Sequence, residues 1–256
     1  MSVAGLVIAA HGTRDARGTA ALRRLARLVS HEVEVPVRLA FADVAAPTVA
    51  ESLSTTPAGD VVVVPAFLAS GYHVHVDLPA QVFATRSPER RCRLTRGIGP
   101  HPAIAAVQAA RLRAAGLRSM DSVLMTAVGS SDPRARADVL HAGRLLSDAL
   151  GAPVRTTSCV DGPSGIVPTV NRMRSEGARR IAVAPYVLAE GHFWSQIAAS
   201  GADVIAQPIG PDPALARIIV HLMHEAASTA TAPRRTSTAH RGPHTSGSLT
   251  PVRQAS

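Results

Sequence analysis

The stretch VVVVPAFLASG, residues 61–71, returns as IAVAPYVLAEG at residues 181–191. Each copy opens on an unbroken apolar run and closes on a glycine. A run without polar alternation marks a strand covered on both faces, as in a parallel sheet with helices on either side. Its return more than a hundred residues later points to a duplicated α/β unit.

Further echoes support the duplication. Pro36-Val37-Arg38 recurs as Pro153-Val154-Arg155, and Pro47-Thr48-Val49 as Pro168-Thr169-Val170. Ile98-Gly99-Pro100-His101-Pro102-Ala103 recurs as Ile209-Gly210-Pro211-Asp212-Pro213-Ala214. Between these anchors, strand-like and helix-like segments alternate. Strands are expected at Gly5–Ala10, Val35–Phe41, Asp60–Pro65 and Cys92–Thr95. Helices are expected at Thr19–Ser30, Leu78–Ala84 and Pro102–Ala115, the last closed by Gly116. In the second half, strands are expected at Ser122–Ala127, Val154–Cys159, Arg180–Val187 and Val204–Gln207. Helices are expected from Asp132-Pro133 to Gly151, over Ile166–Glu176, up to about Ser200, and over Pro213–Ala227. Asp132 supplies an N-cap carboxylate and Pro133 a first-turn proline.

The fold class is therefore α/β. Two duplicated Rossmann-like lobes are expected, each a mostly parallel sheet flanked by helices, facing each other across a cleft. The division is 1–116, 117–227, and a basic tail over 228–256. The tail is rich in Thr, Ser, Arg, Pro, His and Gly. It lacks the apolar surface to offset ordering entropy and is expected to be disordered.

Hydrophobic residues make up 46% of the 256, but aromatics only 3%, so the cores must be built from Ala, Val, Leu and Ile. Every basic residue is Arg, and the formal net charge is +9. No nucleic-acid motif accompanies that charge, and the tail has no aromatic residue for base stacking. Arginine forks suit an anionic small substrate better, because they pair with carboxylates in bidentate fashion. Cys92 and Cys159 are too few and too far apart for a disulfide framework or a zinc knuckle. There is no basic n-region and no apolar stretch of membrane-spanning length. A cytoplasmic protein is expected, without nucleic-acid or membrane partners.

Both candidate imidazoles stand where a buried strand stops. His11 follows Gly5–Ala10, and His73 and His75 follow the second apolar run. Ligands of open α/β sheets bind at the carboxyl ends of strands. Gly12 beside His11 removes side-chain bulk and lets a ligand approach. The alternative for His11 is a structural histidine bonded to backbone. His73 and His75 point the same way if the segment is extended and diverge on a helix. Of the two, His73 is the stronger ligand or base, and His75 either lines the cleft or is solvated. Asp43 closes the second strand, either as a third metal ligand or as an Asx turn. The remaining histidines read differently. His101 and its counterpart Asp212 hold a capping position, and His192 faces the cleft from the second lobe. His31, His141, His221 and His224 are surface residues, and His240 and His244 lie in the tail.

Internal comparison separates the halves. His11 corresponds to Val128, Arg14 to Ser131 and His73 to Phe193. The hydrophobic pattern is kept while the imidazoles are lost, so one active site is expected, in residues 1–116. A histidine-nucleophile phosphatase is a competing reading. Such enzymes carry Arg directly before the histidine, and here that residue is Ala10.

The segments HGTRD (11–15), FADVAAP (41–47) and PAFLASGYHVHVDLP (65–79) resemble those of the sirohydrochlorin chelatases, the CbiX/SirB family within the class II chelatases. The resemblance spans about residues 4–225. It implies insertion of a divalent metal into sirohydrochlorin, with Fe(II) for sirohaem as first choice. Co(II) for cobalamin is the alternative, and a non-catalytic metal or tetrapyrrole carrier is the alternative of another class. It implies that His11 and His73 are metal-binding and catalytic. Asp43 stands where relatives carry Glu, as a possible third ligand. Arg14, His75 and His192 would contact the substrate. No cofactor is implied beyond the metal that is itself a substrate. A monomer is expected, with a homodimer as the alternative.

Overall fold

The computed structural model describes residues 3–159 and 165–228. The expected tail beyond Ser228, with His240 and His244, lies outside them. The first half runs β1 (Val3–Ala10), α1 (Ala16–Ser30), β2 (Val37–Phe41), α2 (Val49–Ser54), β3 (Gly59–Pro65), a π-helical turn (His73–Asp77), α3 (Leu78–Ala84), β4 (Arg90–Leu94) and α4 (Pro102–Ala114). The second runs β5 (Ser122–Ala127), α5 (Pro133–Leu150), β6 (Val154–Ser158), α6 (Ile166–Ser175), β7 (Ile181–Tyr186), α7 (His192–Ala198), β8 (Val204–Ile205) and α8 (Pro213–Ser228).

Each half forms a four-stranded sheet, in the orders β2-β1-β3-β4 and β6-β5-β7-β8. All pairings are parallel. The duplication read in the sequence is thus a duplication of topology. The two apolar runs form β3 and β7, whose side chains are buried on both faces. The caps repeat as well. Asp15 and Asp132 open α1 and α5, each accepting from the backbone N–H two residues on and pairing with that residue's guanidinium, Arg17 or Arg134.

Three elements depart from the periodicity. Helix α2 occupies a segment whose short apolar pattern marks neither a strand nor a helix. Thr48 and Glu51 build it by a reciprocal capping box. The turn from His73 to Asp77 winds as a π-helix. Strand β8 is only two residues long.

The halves share an apolar core on their facing sides, with Leu6, Ile8 and Phe41 in one cluster with Met125, Leu146 and Tyr186. Helix α4 packs on β7 and α5, and α8 packs on β3 and α1. The last helix of each repeat therefore covers the sheet of the other. Polar contacts seal the exchange. Gln108 Nε2 donates to the Pro185 carbonyl at 3.1 Å, and the Tyr186 hydroxyl to the Leu68 carbonyl at 2.8 Å. The sequence repeats divide near residue 116, but the packing does not. No helix of the described residues is long and apolar enough to cross a membrane.

Candidate active site

The loops that leave β1, β2 and β3 are stitched together at the carboxyl edge of the first sheet. Ala42 N donates to Ala10 O at 2.8 Å, Asp43 N to His11 O at 3.1 Å, and Ala66 N to Ala9 O at 2.8 Å. Gly12 makes this crossing possible. Its φ is +98°, and a Cβ there would collide with the Asp43 carbonyl.

On this platform the His11 and His73 rings face each other, centroids 4.7 Å apart and planes inclined by 48°. Phe67 stands 6.3 Å from both rings. Burial, and then the nearby His73 ring, hold the His11 imidazole below the usual histidine value, against a smaller opposing pull from Asp43. His11 is therefore mainly neutral at pH 7, with a lone pair free for a metal ion or a proton.

His73 is fixed from behind. The π-helical turn brings Asp77 under it, and Nδ1 lies 2.6 Å from Asp77 Oδ2. With Nδ1 engaged, Nε2 is the nitrogen left for a ligand. Asp77 lies in the motif HVHVD, and its spacing from His73, one helical turn, is the signal that would have found it.

The turn also separates His73 from His75. His75 is exposed and does not line the cavity, which favours the solvated of its two readings over a place in the cleft. In a helical winding residues two apart point in different directions. Asp43 is exposed, and its Oδ1 accepts from Val44 N at 2.7 Å, an Asx-type contact. Among the described residues no group of three His, Cys, Asp or Glu side chains is arranged to hold a metal. His101 caps α4, accepting from Ala103 N at 3.1 Å.

The imidazoles open onto a cavity of about 1130 Å³ that both halves line. Arg14 and His192 line it, and so do Val128 and Phe193, the counterparts of the two histidines. Arg136 and Arg172 line it too, although sequence reading did not single them out. A surface arginine and a cavity arginine look alike in a sequence.

The CbiX family model matches residues 5–115 and again 122–226. No curated protein matches the chain in sequence. Among solved structures, SirB from Bacillus subtilis with Fe3+ is 19% identical, with a TM-score of 0.75 over 90% of this chain and 97% of that one. The sirohydrochlorin chelatase SirB from Bacillus subtilis subspecies spizizenii in complex with cobalt is 20% identical, with a TM-score of 0.72 over 89% and 97%. CbiX, described as the terminal enzyme for biosynthesis of siroheme in denitrifying bacteria, is 19% identical, with a TM-score of 0.61 over 87% and 99%. At these identities the likeness is one of fold.

Proposed function

The chain belongs to the CbiX family, and from that premise we propose that it is a sirohydrochlorin chelatase inserting a divalent metal into the macrocycle. Fe(II) is the proposed metal and Co(II) the alternative. The observation that carries the reading is the His11–His73 pair, 4.7 Å apart, opening onto a cavity of about 1130 Å³.

Metal entry displaces two pyrrole N–H protons, so the site needs ligands that release the ion and bases that take protons. Neutral imidazole does both near pH 7. Metal–nitrogen bonds of about 2.0–2.1 Å allow two rings this close to share one ion. A pair of protein ligands leaves coordination positions open for the macrocycle, whereas a closed four-ligand cage would retain the ion. His11 and His73 hold the metal and accept protons, and Asp43, close enough to His11 for its charge to act there, is the proton acceptor beside the metal. Arg14 and His192 contact the substrate. The reaction belongs to residues 1–116, with 117–227 forming the opposite wall. One chain supplies both walls, which supports action as a monomer, and the cytoplasm is its proposed compartment.

The test is an anaerobic insertion assay with Fe(II) and with Co(II), followed by the absorbance change of the macrocycle. His11→Ala and His73→Ala should each lower turnover by about a hundredfold or more, the scale of a lost acid–base group. Variants as fast as the wild type would overturn the assignment. Tetrapyrrole binding without insertion would make the protein a carrier.

A further inference from the structure

The two walls of the cavity differ in chemistry, and the difference follows strand register. Ala10 pairs with Phe41 at the end of β2, and Ala127 pairs with Ser158 at the end of β6. Leu39-Ala40-Phe41 in the first half thus corresponds to Thr156-Thr157-Ser158 in the second. The Pro-Thr-Val repeat continues the comparison. Thr48 corresponds to Thr169, and so Glu51 to Arg172. Where the first half has an aromatic ring and a capping carboxylate, the second has a hydroxyl and a guanidinium.

These second-half groups face the cavity together. Thr156, Thr157, Ser158, Thr169 and Arg172 all line it. Arg172 NH2 donates to Thr169 Oγ1 at 3.3 Å, and Thr169 Oγ1 lies 3.2 Å from Thr157 Oγ1. Ser158 is only 7% exposed, and its buried Oγ has no hydrogen-bond partner among the described residues. A buried hydroxyl left unpaired beside a cavity can gain a partner by turning its χ1 toward a ligand atom. Arg172 forms no ion pair among the described residues. Neighbouring arginines do, as Arg155 with Glu176, Arg174 with Asp203 and Arg180 with Asp121 show.

We propose that Arg172, with Thr169 and Ser158, forms a carboxylate subsite in the second half that binds an acid arm of the tetrapyrrole and holds the ring against the histidine wall. The proposal rests on the chelatase reading. A carboxylate accepts from the guanidinium and from hydroxyl donors, and charge-assisted bonds of this kind are the strong ones. Loss of the imidazoles at Val128 and Phe193 then accompanies a change of task, from metal handling to substrate anchoring.

The test is titration of metal-free sirohydrochlorin by absorbance, alongside insertion kinetics, for wild type, Arg172→Gln, Arg172→Lys and Ser158→Ala. Arg172→Gln should raise the tetrapyrrole dissociation constant and its KM about tenfold, with the metal KM and kcat within about twofold. Arg172→Lys should recover part of the loss. The fully esterified macrocycle should bind wild type and Arg172→Gln equally. Equal binding of the free acid by wild type and Arg172→Gln overturns the subsite while leaving the chelatase reading intact. If the wild type neither binds nor metallates the macrocycle, the functional reading falls and takes the subsite with it.

Discussion

Asp77 Oδ2 sits 2.6 Å from His73 Nδ1, one helical turn further along the chain. The contact fixes which ring nitrogen faces the cavity and how the ring is turned. Partners of this kind typically contribute ten- to a hundredfold to metal affinity. Asp77→Ala should therefore weaken Co(II) binding by about tenfold or more while leaving the unfolding midpoint close to wild type. Asp77→Asn, which keeps a hydrogen-bonding atom in place, should lose less. Metal titration of both variants separates this positioning role from a purely structural one, in which midpoint and affinity would fall together.

His75 provides the matching negative case. It is exposed and does not line the cavity. His75→Ala should retain metal binding and insertion within about twofold of wild type, as expected for an exposed substitution away from the site. A loss comparable to that of His73→Ala would mean that the turn unwinds when substrate binds.

The Tyr186 hydroxyl is the clearest polar link between the halves. Burial first, and then the charge of Asp138, push its ionisation well above the usual tyrosine value, so it is a permanent donor to Leu68 O. Tyr186→Phe leaves that carbonyl unpaired in the interior, at a cost of about 2 kcal/mol. Urea unfolding should show a lower midpoint at an unchanged slope, because the loss is of stability and not of compactness.

What the sequence disclosed follows from which interactions are local. The apolar runs of β3 and β7, the caps Asp15 and Asp132, and His11 and His73 at strand ends are all set by neighbours in the chain. The capping box of α2 was equally local, and the Thr48–Glu51 spacing is the signal that marks it. Other features depend on packing. Nothing in the pattern of α4 says that the helix packs on β7 and α5 of the second half. The direction of His75 depends on whether residues 73–77 are extended or wound. Arg172 and Arg155 read alike in the sequence, and only the fold gives Arg155 a carboxylate and Arg172 a cavity.

Asp60 carries the stability prediction with a pH sign. Only 6% exposed at the start of β3, it accepts from Arg91 Nε and Arg93 NH2, both at 2.9 Å. Burial pushes its carboxyl up, but the bonds from Arg93 and Arg91 outweigh it and leave the group below the ordinary Asp range. A carboxyl depressed by folding stabilises the protein fully above its unfolded value of about 3.9. That contribution fades as pH falls through the lower folded value. Asp60→Asn leaves the Arg93 guanidinium, 28% exposed, without its counter-charge and should cost about 3 kcal/mol at pH 7. Wild type and variant should converge as the pH drops below about 4. Chemical denaturation at pH 7 and at pH 3 measures both numbers, and a gap that stays constant between them would show that the ion pairs contribute nothing.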